Sequence, residues 1–156
     1  MCGSYNVREC HSYPTIQNQY KYICSYTDYV KLKGRCVMKL ADDNDMNVIT
    51  LISFGGQDEN QQKHTLIMKY MSVWGDGSDD IDDKRIEKKK GSSNKWFPFD
   101  TIGRDKDYYI GVRAVIGGSN NNLLFITYSP KNIDVFDLKK FKYIFPLLTY
   151  LIVSHW

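Results

Sequence analysis

One pattern constrains this chain more than any other. Short apolar, β-branched runs recur in the same order, separated by turn residues. Residues 48–54 read VITLISF, Gly55-Gly56 interrupts them, and a polar stretch follows at residues 57–63. Residues 65–74 then read TLIMKYMSVW. Before this set, residues 35–40 read RCVMKL and are joined to it by the polar residues 41–47, a hairpin connection. The order returns further along. GVRAVI at 111–116 is followed by a Gly/Ser/Asn turn, LLFITY at 123–128, Ser129-Pro130, NIDVFD at 132–137 and FKYIF at 141–145. Runs this short, bounded by such turns, predict strands rather than helices.

A partial copy opens the chain. Gly3-Ser4 stands where Gly55-Gly56 stands, residues 8–13 match the third run, and YKYIC at 20–24 matches the fourth. Lys-Tyr-Ile occurs at residues 21–23 and again at 142–144, and Lys95-Trp96 fills that place in the middle copy. From Tyr22 to Trp96 is 74 positions, and from Trp96 to Tyr143 is 47. Setting aside the 20 residues 75–94 shortens the first interval to 54. That segment holds six acidic and five basic residues between positions 76 and 90, and reads as a charged, disordered insertion. A unit of roughly 50 residues with four strands cannot hide both of its faces alone, so neighbouring units are expected to stack face to face.

The organisation expected is therefore an incomplete first unit at 1–29, holding its third and fourth strands. A second unit covers 30–101 with the insertion at 75–94, and a third covers 102–146. Residues 147–156 form an apolar tail or the start of a further unit.

These residues resemble the kelch motif family. Its repeat is an apolar strand, a Gly-Gly pair, a polar loop, a strand ending in Tyr and then a Trp. The fullest match is residues 48–54 with Gly55, Gly56, Tyr70 and Trp96. The first copy keeps Gly3, Tyr13 and an aromatic at Tyr20 or Tyr22. The third has Tyr128-Ser129 for the glycines, Phe136 for the Tyr and Tyr143 for the Trp. Gly117-Gly118 belongs to the preceding hairpin turn. The resemblance implies an all-β fold: a partial kelch-type β-propeller of about two and a half four-stranded antiparallel blades. Complete propellers have roughly 4–8 blades. The expectation is thus a truncated piece of a larger propeller, with a ring shared among chains or a small open stack as alternatives. The glycines are expected to serve positive φ or close approach, and Tyr70 and Trp96 to pack in the core.

Chemistry is sparse. Cys2, Cys10, Cys24 and Cys36 contain no Cys-x-x-Cys pair, so they read as small hydrophobes rather than a zinc module. His11, His64 and His155 accompany no Gly-x-Ser-x-Gly elbow, and no phosphate-binding glycine pattern exists. Asp79, Asp80, Asp82 and Asp83 lack the offsets of an EF-hand. No catalytic residue, metal ligand or cofactor is assigned. The chain is expected not to be an enzyme but a scaffold for a protein partner. The loops after Gly56 and around Pro130 are candidate surfaces, and exposed blade faces offer self-association. The alternatives are a galactose-oxidase-like metal-dependent oxidoreductase domain and a fragment without autonomous function. A net charge of +3 is too small for a nucleic-acid footprint. Neither a long apolar run nor a signal-like N-terminus is present, so a cytoplasmic location away from membranes is expected.

Overall fold

Period-two alternation decides where each strand sends its side chains. In the computed structural model, which describes residues 2–4, 7–30, 33–40, 49–58, 60–74 and 93–144, every regular element is a strand. The strands are β1 (Cys2–Ser4), β2 (Val7–Ser12), β3 (Lys21–Ser25), β4 (Cys36–Lys39), β5 (Ile49–Gly55) and β6 (His64–Tyr70). They continue as β7 (Phe97–Phe99), β8 (Tyr108–Gly117), β9 (Leu123–Ser129), β10 (Asn132–Asp137) and β11 (Lys142–Ile144). They form three antiparallel sheets, β1-β2-β3, β4-β5-β6-β7 and β8-β9-β10-β11, each a simple meander of consecutive strands.

The middle sheet is packed against on both sides. On β5, Leu51 packs toward the first sheet, while Ile52 and Phe54 pack toward the third. On β4, Val37 faces the first sheet and its neighbours Cys36 and Met38 face the third. Two cores result. One holds Cys10, Cys24, Tyr26, Val30, Leu66, Met68 and Trp96. The other joins Ile52 and Phe54 to Ile102, Tyr109, Val112, Leu124, Ile126 and Phe136. A strand that is apolar on both faces reads as a continuous apolar run, and VITLISF is such a run.

Three details depart from the sequence reading. β1 adds a third strand to the first sheet, pairing Cys2 with Cys10 across to β2. β6 ends at Tyr70 rather than running on to Trp74, because Asn94 takes over the backbone there. Its side chain accepts from the Met71 N–H at 2.9 Å and donates to the Met71 carbonyl at 3.2 Å. The fourth strand of the middle sheet starts just after Trp96, and its Pro98 lacks a ladder donor, which suits an edge. Most of the charged insertion and the apolar tail lie outside the described residues, as do the four insertion aspartates and His155.

Candidate functional site

Three of the connections between strands gather at one end of the sheets. Residues 56–63 join β5 to β6, residues 100–107 join β7 to β8, and Pro130 and Lys131 join β9 to β10. Their shared position follows from register. Gly55 pairs with His64, Tyr108 pairs with Ser129, and the Tyr109 N–H donates to Gln57 Oε1 at 2.9 Å, which locks the middle sheet to the third.

Gly55 and Gly56 have φ of 76° and 61°, so both lie in the left-handed region that favours glycine. At Gly55 a Cβ would come within 2.3 Å of Val112 Cγ1. This glycine therefore serves both the turn and the approach of the next sheet. Beyond the pair, Asp58 organises the polar loop by accepting from the N–H groups of Asn60 at 2.9 Å and Gln62 at 2.8 Å. The loop walls a polar dent lined by Asn60, Gln61, Gln62, Lys63, Thr101 and Asp105. Lys63 spans it, donating to the Asp105 carbonyl at 3.3 Å.

Behind the dent lies a network that no sequence motif marked. Arg104 donates through Nε to both carboxylate oxygens of Asp107 at 3.2 Å, and through Nη2 to the Tyr128 hydroxyl at 2.9 Å and to Asp134. The Tyr128 hydroxyl donates to Asp134 at 2.8 Å and lies 3.2 Å from Asp107. The guanidinium also sits 4.5 Å from the Tyr143 ring centroid. Asp107 and Asp134 are buried, so they need these partners. Burial works against the Arg104 charge, but the Asp107 hydrogen bond and the two carboxylate charges outweigh it and hold the group protonated. Burial, then the Asp134 hydrogen bond, raises the Tyr128 pKa. Burial, then the Tyr143 hydroxyl 3.2 Å away, raises that of Tyr109. The network ties the segment before β8 to Tyr128 on β9 and Asp134 on β10. An Arg-x-x-Asp pair ahead of a strand was the only trace of this network in the sequence.

The motif aromatics separate by position in the stack. Trp96 is buried, stacks on Tyr26 with centroids 5.1 Å apart and donates to Cys10 Sγ at 3.4 Å. Tyr70 packs against the same core and its hydroxyl reaches Ser12 Oγ at 3.4 Å. Phe136 and Tyr143 belong to the second core. Counted from the Gly55-Gly56 and Tyr128-Ser129 ends, Phe136 lies level with Met68, two residues short of Tyr70. Tyr13 and Tyr22 are exposed on the outer side of the first sheet, and Gly3 lies within β1.

His11 and His64 are not drawn together. His11 lies among Tyr20 and Tyr22, and His64 lies 6.1 Å from the Tyr29 ring. Among the described residues, no group of three or more His, Cys, Asp or Glu side chains is placed to hold a metal ion, and no helix is long and apolar enough to cross a membrane.

Fold and site together define an all-β protein of three stacked antiparallel sheets with a polar loop end. Comparison of the chain with family profiles, curated proteins and solved structures finds no match.

Proposed function

We propose that the chain is a non-enzymatic, protein-binding scaffold of the kelch-repeat type, its three sheets being successive blades of a partial propeller. The loops at residues 56–63, 100–107 and 130–131 form its partner surface. One observation carries this reading. Consecutive meanders pack face to face in sequence order, and the connections at 56–63, 100–107 and 130–131 emerge at the same end. Loops positioned by a sheet scaffold are where binding residues concentrate. The loop end offers amide, lysine and threonine side chains around a shallow dent, a suitable rim for a polar protein surface.

Comparative capture tests the proposal. Immobilised residues 1–156 are set beside two variants. Lys63→Glu with Gln61→Gly alters the loop end, and Asn120→Asp with Asn121→Gly alters the opposite turn. A protein retained by the wild type and the opposite-turn variant, but lost from the loop-end variant, supports the reading. Equal retention on all three, or a turnover abolished by His64→Ala, overturns it.

A further inference from the structure

One row on the outer face of the third sheet breaks the rule that a solvated sheet face alternates to polar, beside the polar pair Arg113 and Thr127. Val115 pairs with Phe125, Phe125 with Val135, and Val135 with Ile144, so one apolar row crosses all four strands. Alternation points this row away from the second core, and none of its members belongs to that core. Val115 is 62 % exposed and Ile144 is 39 % exposed.

The same row exists in the middle sheet. Counted from the Gly55-Gly56 and Tyr128-Ser129 ends, it is Met38, Ile52, Ile67 and Phe97, paired strand by strand in the same way. There Met38 and Ile52 are covered by the third sheet, while Phe97 at the edge is 46 % exposed. The repeated Lys-Tyr-Ile gives the same answer independently. Ile23 packs against the middle sheet, whereas its counterpart Ile144 is exposed. Conversely, Tyr143 packs in the second core, whereas its counterpart Tyr22 is 53 % exposed on the outer side of the first sheet. Tyr22 shares that side with His11, Tyr20 and Tyr13, which form one ring cluster. Each end of the stack thus presents an apolar or aromatic row like one that is covered inside the chain, although Arg113 and Thr127 stand where the middle sheet has Cys36 and Phe54.

We propose that a second copy of this chain docks end to end, laying the outer face of its first sheet, centred on Tyr22, over the Val115–Phe125–Val135–Ile144 row. The contact continues the internal stacking mode and is heterologous, so each copy offers one face of each kind. It uses sheet faces and leaves the loop end open, and it does not rest on the scaffold reading above.

Sedimentation velocity of residues 1–156 across a concentration series up to ~100 μM tests it. Val115→Lys spoils one face and Tyr22→Lys the other; both positions are exposed, so the urea midpoint should stay at the wild-type value. If Val115→Lys lowers that midpoint, Val115→Thr keeps the β-branched shape and carries the same test. The wild type is expected to gain mass with concentration. Each variant alone should weaken association at least ~10-fold. An equimolar mixture of the two should form a species of two chains and nothing larger, because one intact face of each kind remains. A wild type that keeps single-chain mass throughout, a variant that associates as the wild type does, or a mixture that stays at single-chain mass overturns the proposal.

Discussion

The two seams between the sheets are built from different materials. Between the middle and third sheets the backbones nearly touch. A Cβ on Gly34 would lie 2.7 Å from the Gly111 nitrogen, and one on Gly55 would overlap Val112. Hydrogen bonds cross or flank this seam, from the Tyr109 N–H to Gln57 and from the Ile102 N–H to Thr65 Oγ1 at 2.8 Å. Between the first and middle sheets, soft and large side chains fill the gap instead. Trp96 lies on Tyr26, Arg35 stacks 4.2 Å from the Tyr26 ring centroid, and Cys24 Sγ lies 3.7 Å from Met68 Sδ. Polar tips of these side chains also meet across it, the hydroxyls of Tyr26 and Ser53 at 2.9 Å and the Trp74 indole N–H with Ser12 Oγ at 3.0 Å. The difference teaches that one repeat architecture can be closed by glycine-permitted contact or by polarizable filling. The first leaves no room for an added atom at Gly34 or Gly55, whereas the second is sensitive to lost ones.

The largest effect should come from breaking the close seam. Gly55→Val adds a β-branched side chain at φ 76° and into Val112, so it should cost about 4 kcal/mol or more in urea unfolding. Gly111→Ala sharpens the point. Gly111 has φ 74° but open space at its Cβ, so only the conformational cost of about 1–2 kcal/mol should appear. Equal losses at Gly55 and Gly111 would mean that close approach is not what shapes this seam.

Removing filling from the other seam comes next. Trp96→Ala empties the space over Tyr26 and should cost about 3–4 kcal/mol. In hydrogen exchange, β2 and β3 should lose protection in this variant while β9 and β10 keep theirs. Uniform loss would show that the seams do not open separately.

Arg104→Met should cost less, about 2 kcal/mol. It strands two buried carboxylates, but the Arg104 side chain is 46 % exposed and solvent screens part of the effect. Asp134→Asn in the same background should restore part of the loss, because one fewer charge is left unpaired. An Asp134→Asn change that adds its full cost on top would break the account of a coupled network.

The smallest effect near neutral pH, and the one that reverses the ranking, is alkaline. Tyr109 and Tyr128 have pKa values raised above the free value of about 10. Their neutral forms are favoured in the folded state, so their contribution is whole below pH ~10 and is lost as pH rises toward the folded values. The close seam should therefore weaken first above pH ~10, seen as tyrosinate absorbance appearing together with the loss of β9 and β10. Alkaline unfolding that is unchanged when Tyr109 and Tyr128 are both replaced by Phe would separate these hydroxyls from the seam.

Much of the fold was legible because strands report their burial directly. β5, β9 and β10 stand out as short apolar runs between turns, and the recurrence of Lys-Tyr-Ile gave the repeat its spacing. β1 was not legible, since a strand of three residues carries no period. β7 was obscured because its three residues are Phe-Pro-Phe, and a Pro argues against a strand everywhere but an edge. The Arg104 network was invisible for another reason. Arg104, Asp107, Tyr128 and Asp134 are common polar residue types with no distinctive spacing, and only their convergence makes them a site.

By itself, the sequence determined the all-β class, the turns and the order of the strands, because those depend on local φ preferences and on alternation along one strand. Only the tertiary structure decided which members of an equivalent pair are buried. Ile23 and Ile144 stand in the same three-residue string, yet one is covered and the other is exposed. Burial of a sheet face depends on what lies across it, and that neighbour is set by stacking rather than by the residue's own segment.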